Sequence, residues 1–302
     1  MDSSSYLQSA GPFDARYVAF LETIAALRPS LHRYCARMTG SVMDGEDVVQ
    51  ESLFEAYRKL DTFDESRPLK PWLFRIAHNR CIDFLRRRGV RDETETAAAA
   101  TAGGSPAEPA VLGIGKAIEH LVASLPPKER ASILLKDVFD HSLEEIAELI
   151  GSTVGGVKAA LNRARTKLAT SSPAPTAVRS ASPELKQVMQ LYVDRFNRRD
   201  WDGVRELISA DARLNVLERF AGKVADAAYF SNYERWPWPW RLVVGEVDGE
   251  PVVITLRRGV DTWTPHAAIR FGVADQKIEH IVDYIHCPWV IAAAADVRTA
   301  EA

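Results

Sequence analysis

The chain has 302 residues, of which 46% are hydrophobic, and a formal net charge of −3 at pH 7. This length predicts two or three domains, each with enough apolar residues for a packed core. No apolar run reaches the roughly 20 residues of a membrane-spanning helix, and Met1–Ser5 lacks the pattern of a signal peptide. The cysteines Cys35, Cys81 and Cys287 are scattered and odd in number, which is typical of a reducing compartment. These features predict a cytoplasmic protein without a membrane segment.

The first strong pattern is an amphipathic helix from Asp44 to Leu60. The side predicted to be buried consists of Val48, Val49, Ser52, Leu53, Ala56 and Tyr57. The outward side carries Asp47, Gln50, Glu51 and Glu55, with Phe54 among them. Taken alone, an acidic outward side is typical of a solvated surface.

A loop and a basic helix follow. Pro68 and Pro71 disfavour an earlier helix, so residues 61–70 are predicted to form a loop. From Arg67 to Arg91 there are eight Lys or Arg residues against one acid, Asp83. An aromatic and aliphatic helix that ends in arginines can stack on bases and hold phosphates. The alternative is a core helix with a solvated basic end. His78 and Cys81 have the helical spacing of metal ligands, but no further ligand lies nearby, so neither a metal nor a cofactor is predicted.

A helix-turn-helix pattern lies further along the chain. Ser142 and Glu145 form a predicted capping box, Gly151 ends that helix, and Ser152 or Thr153 caps the next one. The second helix buries an apolar side and presents basic and polar residues outward: Lys158, Asn162, Arg163, Arg165 and Lys167. Such a second helix lies in the major groove of DNA. An ordinary helical hairpin is the alternative.

The chain divides into three modules joined by two linkers. The acidic and small residues of 92–110 and the Pro- and Ser-rich residues of 170–183 are predicted to be linkers. The modules are then all-helical at 1–91, all-helical at 111–169, and helical followed by strands at 184–302. Two hairpins are predicted in the last module, with turns at 248–250 and 274–276. Helices followed by a meander of strands predict an α+β fold rather than a parallel sheet.

Aromatic residues are dense in the third module. Trp236, Trp238 and Trp240 alternate with prolines, and Tyr229, Phe230, Tyr233 and Trp263 lie nearby in the sequence. Such density marks a ligand pocket or an interface, although core packing is equally consistent with it. Four further residues resemble pairs that move protons beside a carbonyl, or equally a solvated strand face: His266, His280, Asp283 and His286.

Three motifs together resemble the extracytoplasmic-function (ECF, group IV) sigma factors of bacterial RNA polymerase. They are Asp44–Tyr57, Pro71–Asn79 and Leu125–Arg130, in the order and spacing of regions 2 and 4 of that family. The resemblance covers about residues 14–170. The third module, through Leu191–Val204 and a final strand ending at Tyr284, looks like the cone-shaped SnoaL-like (NTF2-like) fold.

The resemblance implies roles for particular residues. The residues implied in docking on the β′ clamp helices of the polymerase are Asp47, Gln50, Glu51 and Phe54. Recognition and melting of the −10 element fall to Phe63, Asp64, Arg67, Lys70, Trp72, Arg75, His78, Asn79, Arg80, Arg86, Arg87 and Arg88. Recognition of the −35 element falls to Ser152, Thr153, Lys158, Asn162, Arg163, Arg165 and Lys167. A candidate ligand pocket or interdomain contact consists of Tyr192, Trp236, Trp238, Trp240, Trp263, His280 and Asp283.

The implied function is therefore a non-enzymatic sigma factor whose SnoaL-like module modulates its activity. The implied partners are core RNA polymerase, through its β′ clamp helices and β flap, and promoter DNA. A small-molecule ligand and an anti-sigma factor are further candidates. Two alternatives stay open: an isomerase or hydrolase of the SnoaL type tethered to DNA-binding modules, and a ligand-responsive regulator that acts without polymerase.

Overall fold

The computed structural model describes residues 12–64, 66–99, 121–170, 182–217 and 219–299. The chain divides into two compact units, residues 1–102 with 121–172 and residues 103–120 with 173–302. The predicted start of the second module at residue 111 and most of both predicted linkers lie outside the described residues.

The first module consists of three helices: α1 (Pro12–Thr39), α2 (Val42–Arg58) and α3 (Leu69–Ala99). The Ser41 side chain caps α2 by accepting a hydrogen bond from the Asp44 N–H (3.2 Å). Gly45 permits close packing of α1 and α2, because a Cβ there would lie 2.5 Å from the Ala36 backbone. Helix α3 extends beyond the predicted start of the linker at residue 92, so the first part of that segment is helical.

The second module contains α4 (Pro127–Ile133), a π-helical turn (Leu134–Val138), α5 (Leu143–Leu149) and α6 (Val154–Thr170). Both hydrogen bonds of the predicted capping box are present between Ser142 and Glu145. Gly151 has a φ of 61° just beyond α5, which a residue with a side chain rarely adopts. The Thr153 hydroxyl then accepts the Gly156 N–H (3.1 Å) and caps α6. Local signals therefore predict this helix-turn-helix well.

The two helical modules share one hydrophobic core, although the sequence predicts them as separate. The Phe139 ring centroid lies 5.9 Å from those of both Tyr34 and Phe74. The buried Arg130 guanidinium donates to the Met38 carbonyl near the end of α1. One cluster of buried residues accordingly spans both modules and includes Leu31, Tyr34, Phe74, Leu135, Ile146 and Val157.

The third module begins with α7 (Pro183–Asn197) and α8 (Trp201–Glu206), as predicted. Its strands are β1 (Ile208–Val216), β2 (Phe220–Lys223), β3 (Trp240–Val247), β4 (Glu250–Arg258), β5 (Trp263–Ala274), β6 (Lys277–Asp283) and β7 (Val297–Thr299). They form one sheet in the order β2-β1-β6-β5-β4-β3-β7, which is not closed into a barrel. Helix α7 packs on β3, β4 and β5. Two short helices, α9 (Tyr229–Glu234) and α10 (Pro288–Ala293), complete the module.

The sheet is mixed rather than wholly antiparallel. Both predicted hairpins are present, β3–β4 and β5–β6, and their turn residues Asp248, Gly249, Asp275 and Gln276 all have positive φ. The predicted α+β fold is confirmed, and the one parallel pairing among the described strands is that of β1 with β6. A pairing between strands this far apart in the chain leaves no local signal in the sequence.

Candidate nucleic-acid interface

The loop before α3 is organised around one aromatic pair. The ring centroids of Phe63 and Trp72 lie 4.7 Å apart, and both side chains are half-buried. The exposed Asp64 carboxylate accepts hydrogen bonds from the Ser66 N–H (3.0 Å) and hydroxyl (2.7 Å). These hydrogen bonds lower the pKa of Asp64, so its carboxylate is charged at neutral pH. The loop therefore has a defined shape beside an aromatic pair.

Helix α3 presents polar and basic side chains to solvent but buries His78. Lys70, Arg75 and Asn79 of the helix are exposed, as is Arg67 just before it. His78 is 5% exposed, and its Nδ1 lies 2.8 Å from the Tyr34 hydroxyl. Burial lowers its pKa to about 4, so the ring is neutral. Because its ring packs inside the core, His78 is not available for direct DNA contact in this conformation, contrary to its implied role.

The arginines of α3 form ion pairs with acids from α2 and from α3 itself. Arg80 pairs with Glu55, and Arg87 lies 3.5 Å from Glu51. Arg86 pairs with Asp83 (3.3 Å) and Arg88 with Asp44 (3.6 Å). Exposed pairs contribute little to stability, about 0–1 kcal/mol. A DNA phosphate can therefore replace the carboxylate of the more exposed pairs at small cost.

The outward face of α2 is more apolar than predicted. Phe54 is 65% exposed and Tyr57 47% exposed, so the prediction that Tyr57 is buried is wrong. The buried Ser52 and Ala56 fill the face towards the core, which leaves Tyr57, about 100° further around the helix, at its edge. Glu51 is exposed, whereas Asp47 and Gln50 are half-buried.

The outward residues of α6 fall into two groups. Lys158 and Asn162 are exposed, and no partner for either side chain appears among the described residues. The other three basic residues are ion-paired, Arg163 and Lys167 with Glu129 (2.8 and 2.9 Å) and Arg165 with Asp137 (2.8 Å). Near the start of α6, Ser152 is half-buried and Thr153 is exposed. The N-terminal half of α6 is thus the part most accessible to base edges.

Glu129 is a functional candidate that sequence reasoning missed. Its side chain is 7% exposed, and its two oxygens accept hydrogen bonds from Arg163 and Lys167. These hydrogen bonds lower the pKa of its carboxyl, so it is ionised at neutral pH. A weak signal was present: Glu129 is an acid in the first turn of a short helix.

A groove of about 850 Å³ separates the two helical modules on one side. Asn79 and Arg80 of α3 line it opposite Pro126, Pro127 and Lys128 at the start of α4. Residues implied in −10 recognition therefore stand beside the second module in this conformation.

In the third module, the candidate pocket residues divide between the buried core and more exposed positions. Tyr192 and Trp240 belong to the buried core on the α7 side of the sheet. Trp240 donates from its indole N–H to the Tyr233 carbonyl (2.9 Å) and is 7% exposed. Trp240 is therefore part of the packing of this module. His280 is exposed on β6. It lies three residues from Asp283, and an odd separation places two strand residues on opposite faces.

Asp283 lies at the centre of a buried polar cluster. Its Oδ2 accepts hydrogen bonds from the Tyr229 hydroxyl (2.8 Å) and the Tyr233 hydroxyl (2.7 Å), and its Oδ1 accepts the Ile285 N–H (2.9 Å). Burial raises the pKa of Asp283 to about 6 despite these donors. Burial also raises the pKa of Tyr192, whose hydroxyl lies 3.5 Å from that of Tyr229.

Two negative findings apply to the described residues. No helix among the described residues is both long and apolar enough to cross a membrane. No group of three or more His, Cys, Asp and Glu side chains in the same part of the chain is placed to hold a metal ion.

Comparison with known proteins identifies the class of this fold. The Sigma-70 region 2 family matches residues 23–91, and the family described as Sigma-70, region 4 matches residues 115–168. The helical unit is thus that of a sigma-70-type transcription initiation factor. The ECF RNA polymerase sigma factor SigW of Bacillus subtilis (strain 168) is 33% identical over 162 residues, which cover 50% of this chain and 87% of SigW. The chain belongs to the ECF RNA polymerase sigma factors.

Other relatives extend into the third module. The ECF RNA polymerase sigma factor SigG of Mycobacterium tuberculosis (strain ATCC 25618 / H37Rv) is 28% identical over 321 aligned residues, which cover 94% of this chain and 86% of SigG. The crystal structure of the ECF sigma factor SigJ of Mycobacterium tuberculosis covers 87% of this chain and 95% of that chain, at 21% identity and a TM-score of 0.36. As a sigma factor, the chain acts with core RNA polymerase and promoter DNA in the initiation of transcription.

Proposed function

We propose that three surfaces of the helical unit divide the work of initiation. The exposed face of α2, with Glu51 and Phe54, docks on core polymerase. The loop 61–68 and α3 bind the −10 element as its strands separate, and α6 reads the −35 element. The observation that carries this division is the capped α6, on which Lys158 and Asn162 are exposed and have no side-chain partner among the described residues.

At the −35 element, the chemistry of the two side chains assigns different contacts. The Asn162 amide can form a bidentate pair with adenine, and Lys158 can contact guanine or a phosphate. Phosphate contacts are proposed for the other three cations, Arg163, Arg165 and Lys167. Each of these side chains is about half-exposed and is held in an ion pair with a carboxylate, unlike the side chains of Lys158 and Asn162.

At the −10 element, Phe63 and Trp72 lie where an unstacked base could be held. Removing a base from the stack costs a few kcal/mol, which ring contacts and phosphate contacts must offset. Arg86 and Arg87 are more than half exposed, so they are suited to phosphate contacts that do not depend on sequence.

The arginine assignment is tested by replacing Arg86, Arg87 and Arg88 with Gln in the full chain. We expect weaker binding of the polymerase complex to every promoter, with the salt dependence of log K flattened by about one unit per lost contact. Promoter selection should not change. A change in which promoters are used, at unchanged salt dependence, would assign these arginines to sequence reading instead.

The third module is proposed to be SnoaL-like and to modulate initiation without chemistry of its own. The burial of Asp283 beneath two tyrosines and its separation from His280 support this proposal over a tethered enzyme. Action on RNA polymerase supports a cytoplasmic location. We expect truncation after residue 170 to change transcriptional output severalfold while polymerase binding is retained. Unchanged output together with substrate turnover by the full chain would favour the enzyme.

A further inference from the structure

One end of the sheet in the third module carries a cluster of tryptophans and arginines. Strands β3, β4 and β5 are antiparallel neighbours, so the start of β3, the end of β4 and the start of β5 meet at one end. The residues at this end form what we call the tryptophan–arginine surface: Trp236, Trp238, Arg241, Arg257, Arg258 and Trp263.

The guanidinium groups on this surface are held over indole rings. The Arg257 Cζ lies 5.3 Å from the Trp238 ring centroid. The Cζ atoms of Arg241 and Arg258 lie 4.8 and 6.0 Å from that of Trp263. A guanidinium placed over a ring is restrained, yet its N–H donors along the edge remain open to an anion.

Two of these arginines lack an acidic partner. Arg257 and Arg258 are exposed, and no carboxylate forms an ion pair with either among the described residues. By contrast, Arg270 in the same pair of strands is ion-paired with Glu250 at 2.7 Å. The residues opposite Arg257 and Arg258 on β5 are Thr264 and Trp263, neither of which is charged. The charges of Arg257 and Arg258 are therefore not neutralised by an ion pair within the described residues, and the nearest acid in the sequence is the exposed Asp261 in the loop between β4 and β5.

Half-exposed rings accompany this charge. Trp238 packs against Trp236 (5.3 Å between centroids) and His266 (4.7 Å), which fixes its orientation while part of the ring stays accessible. Val260, at the tip between β4 and β5, is 95% exposed. Fixed cations beside accessible, rigid rings are the combination that binds a flexible polyanion with planar groups.

We propose that the tryptophan–arginine surface binds single-stranded nucleic acid. Arg257 and Arg258 contact phosphates, and unpaired bases stack on Trp238 and Trp263. Arg257 and Arg258 are consecutive at the end of β4 and point to opposite faces of the sheet. The nucleic-acid strand is therefore proposed to pass around the end of the β4–β5 hairpin, from Arg257 and Trp238 on one face to Arg258 and Trp263 on the other. The inference rests on the proposed function, because strand separation during initiation supplies the single strand.

The test uses the full chain and a fluorescein-labelled oligothymidylate of about 20 nucleotides, longer than a typical site of ~4–16 nucleotides. We expect the double variant Arg257→Gln, Arg258→Gln to bind about tenfold more weakly than wild type. The salt dependence of log K should fall by about 0.7 for each lost phosphate contact. The matched control is Arg213→Gln, which removes an exposed arginine from β1 and should bind like wild type.

Photocrosslinking locates the contact on the chain. An iodouracil-substituted oligothymidylate should crosslink to peptides within residues 236–266 of the wild-type chain. These crosslinks should weaken in the Arg257→Gln, Arg258→Gln variant and persist in Arg213→Gln. The arginine variants are decisive even if Trp238→Ala fails to fold, since both arginines are exposed.

Two outcomes overturn the proposal. One is equal oligonucleotide affinity of the double variant and Arg213→Gln, with crosslinks confined to the helical modules. The other is unchanged oligonucleotide binding with weakened binding of core polymerase, which would assign the surface to a protein partner. Promoter-specific transcription by the wild-type chain is measured in parallel. Its failure overturns the proposed function while leaving the oligonucleotide result to decide this inference.

Discussion

Single residues decide how much of the basic charge on α6 is available to DNA. Glu129 holds Arg163 and Lys167 through two hydrogen bonds of 2.8 and 2.9 Å, and Asp137 holds Arg165 at 2.8 Å. A phosphate that approaches these three cations competes with a carboxylate already in place. Glu129 therefore limits the sequence-independent part of DNA affinity, which arises from phosphate contacts.

Replacing Glu129 with Gln should raise affinity for duplex DNA of any sequence. We expect an increase of roughly fivefold and a salt dependence of log K steeper by about one to two units, since two cations are freed for phosphates. Fluorescence anisotropy across a salt series measures both quantities. Glu148→Gln controls for net charge, because Glu148 is an exposed acid of α5 for which the described residues show no ion pair. Weaker binding by Glu129→Gln would mean that Glu129 orients the two side chains rather than competing for them.

Asp283 makes the stability of the third module depend on pH. Its pKa in the folded state is about 6, above its usual value of 3.8, because the carboxyl is buried. Between these values the folded state binds more protons at Asp283 than the unfolded state, so the contribution of Asp283 to stability is fully present below about pH 4 and is lost as pH rises through 6. The loss attributable to Asp283 is about 3 kcal/mol.

The measurement is denaturant unfolding of the full chain, monitored by tryptophan fluorescence at several pH values. Six of the seven tryptophans lie between Trp201 and Trp289, so the signal reports mainly on the third module. Asp283→Asn should remove most of the decline between pH 4 and 6.5, whereas Asp211→Asn, an exposed control, should keep it. A variant profile that parallels the wild type would show that Asp283 does not titrate in this range.

At the scale of elements, local chemistry predicted most helices and turns. The capping box of α5, the Thr153 cap of α6 and the two hairpin turns follow from residues within a few positions of each other. The exposure of Tyr57 was mispredicted and the burial of His78 was not foreseen, because both depend on how neighbouring helices pack. The ion pairs of Glu129 join residues 34 and 38 positions apart, beyond the reach of a periodicity argument.

Helix α2 offers an exposed face for polymerase, and its role can be separated from its stability. Phe54→Ala combined with Glu51→Lys should abolish binding to core polymerase, because both side chains are exposed and neither supports the core. The melting temperature should change little. Leu191→Ala, which removes an exposed apolar side chain from α7, should bind polymerase like wild type. Polymerase binding that survives the double change would remove the docking role from this face.

At the scale of the whole molecule, the helical modules and the third module have separate hydrophobic cores. The helical modules close around one core that contains Tyr34, Phe74 and Phe139. The sequence indicated two separate modules, because 92–110 has the composition of a linker and a shared core depends on contacts far apart in the chain. The third module was predicted as α+β from its hairpins, but the β1–β6 pairing and the Asp283 cluster required the folded structure.

The most direct test of the account is mapping of transcription start sites on a genomic DNA library. Core polymerase is assayed alone, with the wild-type chain, and with Asn162→Ala. We predict new start sites only when the chain is present, with shared −10 and −35 sequences upstream. Asn162→Ala should relax the preference at one −35 position by a factor corresponding to about 1–3 kcal/mol. No new start sites with the wild-type chain, or an identical −35 preference in the variant, would contradict the assignment of α6 as the promoter-reading helix.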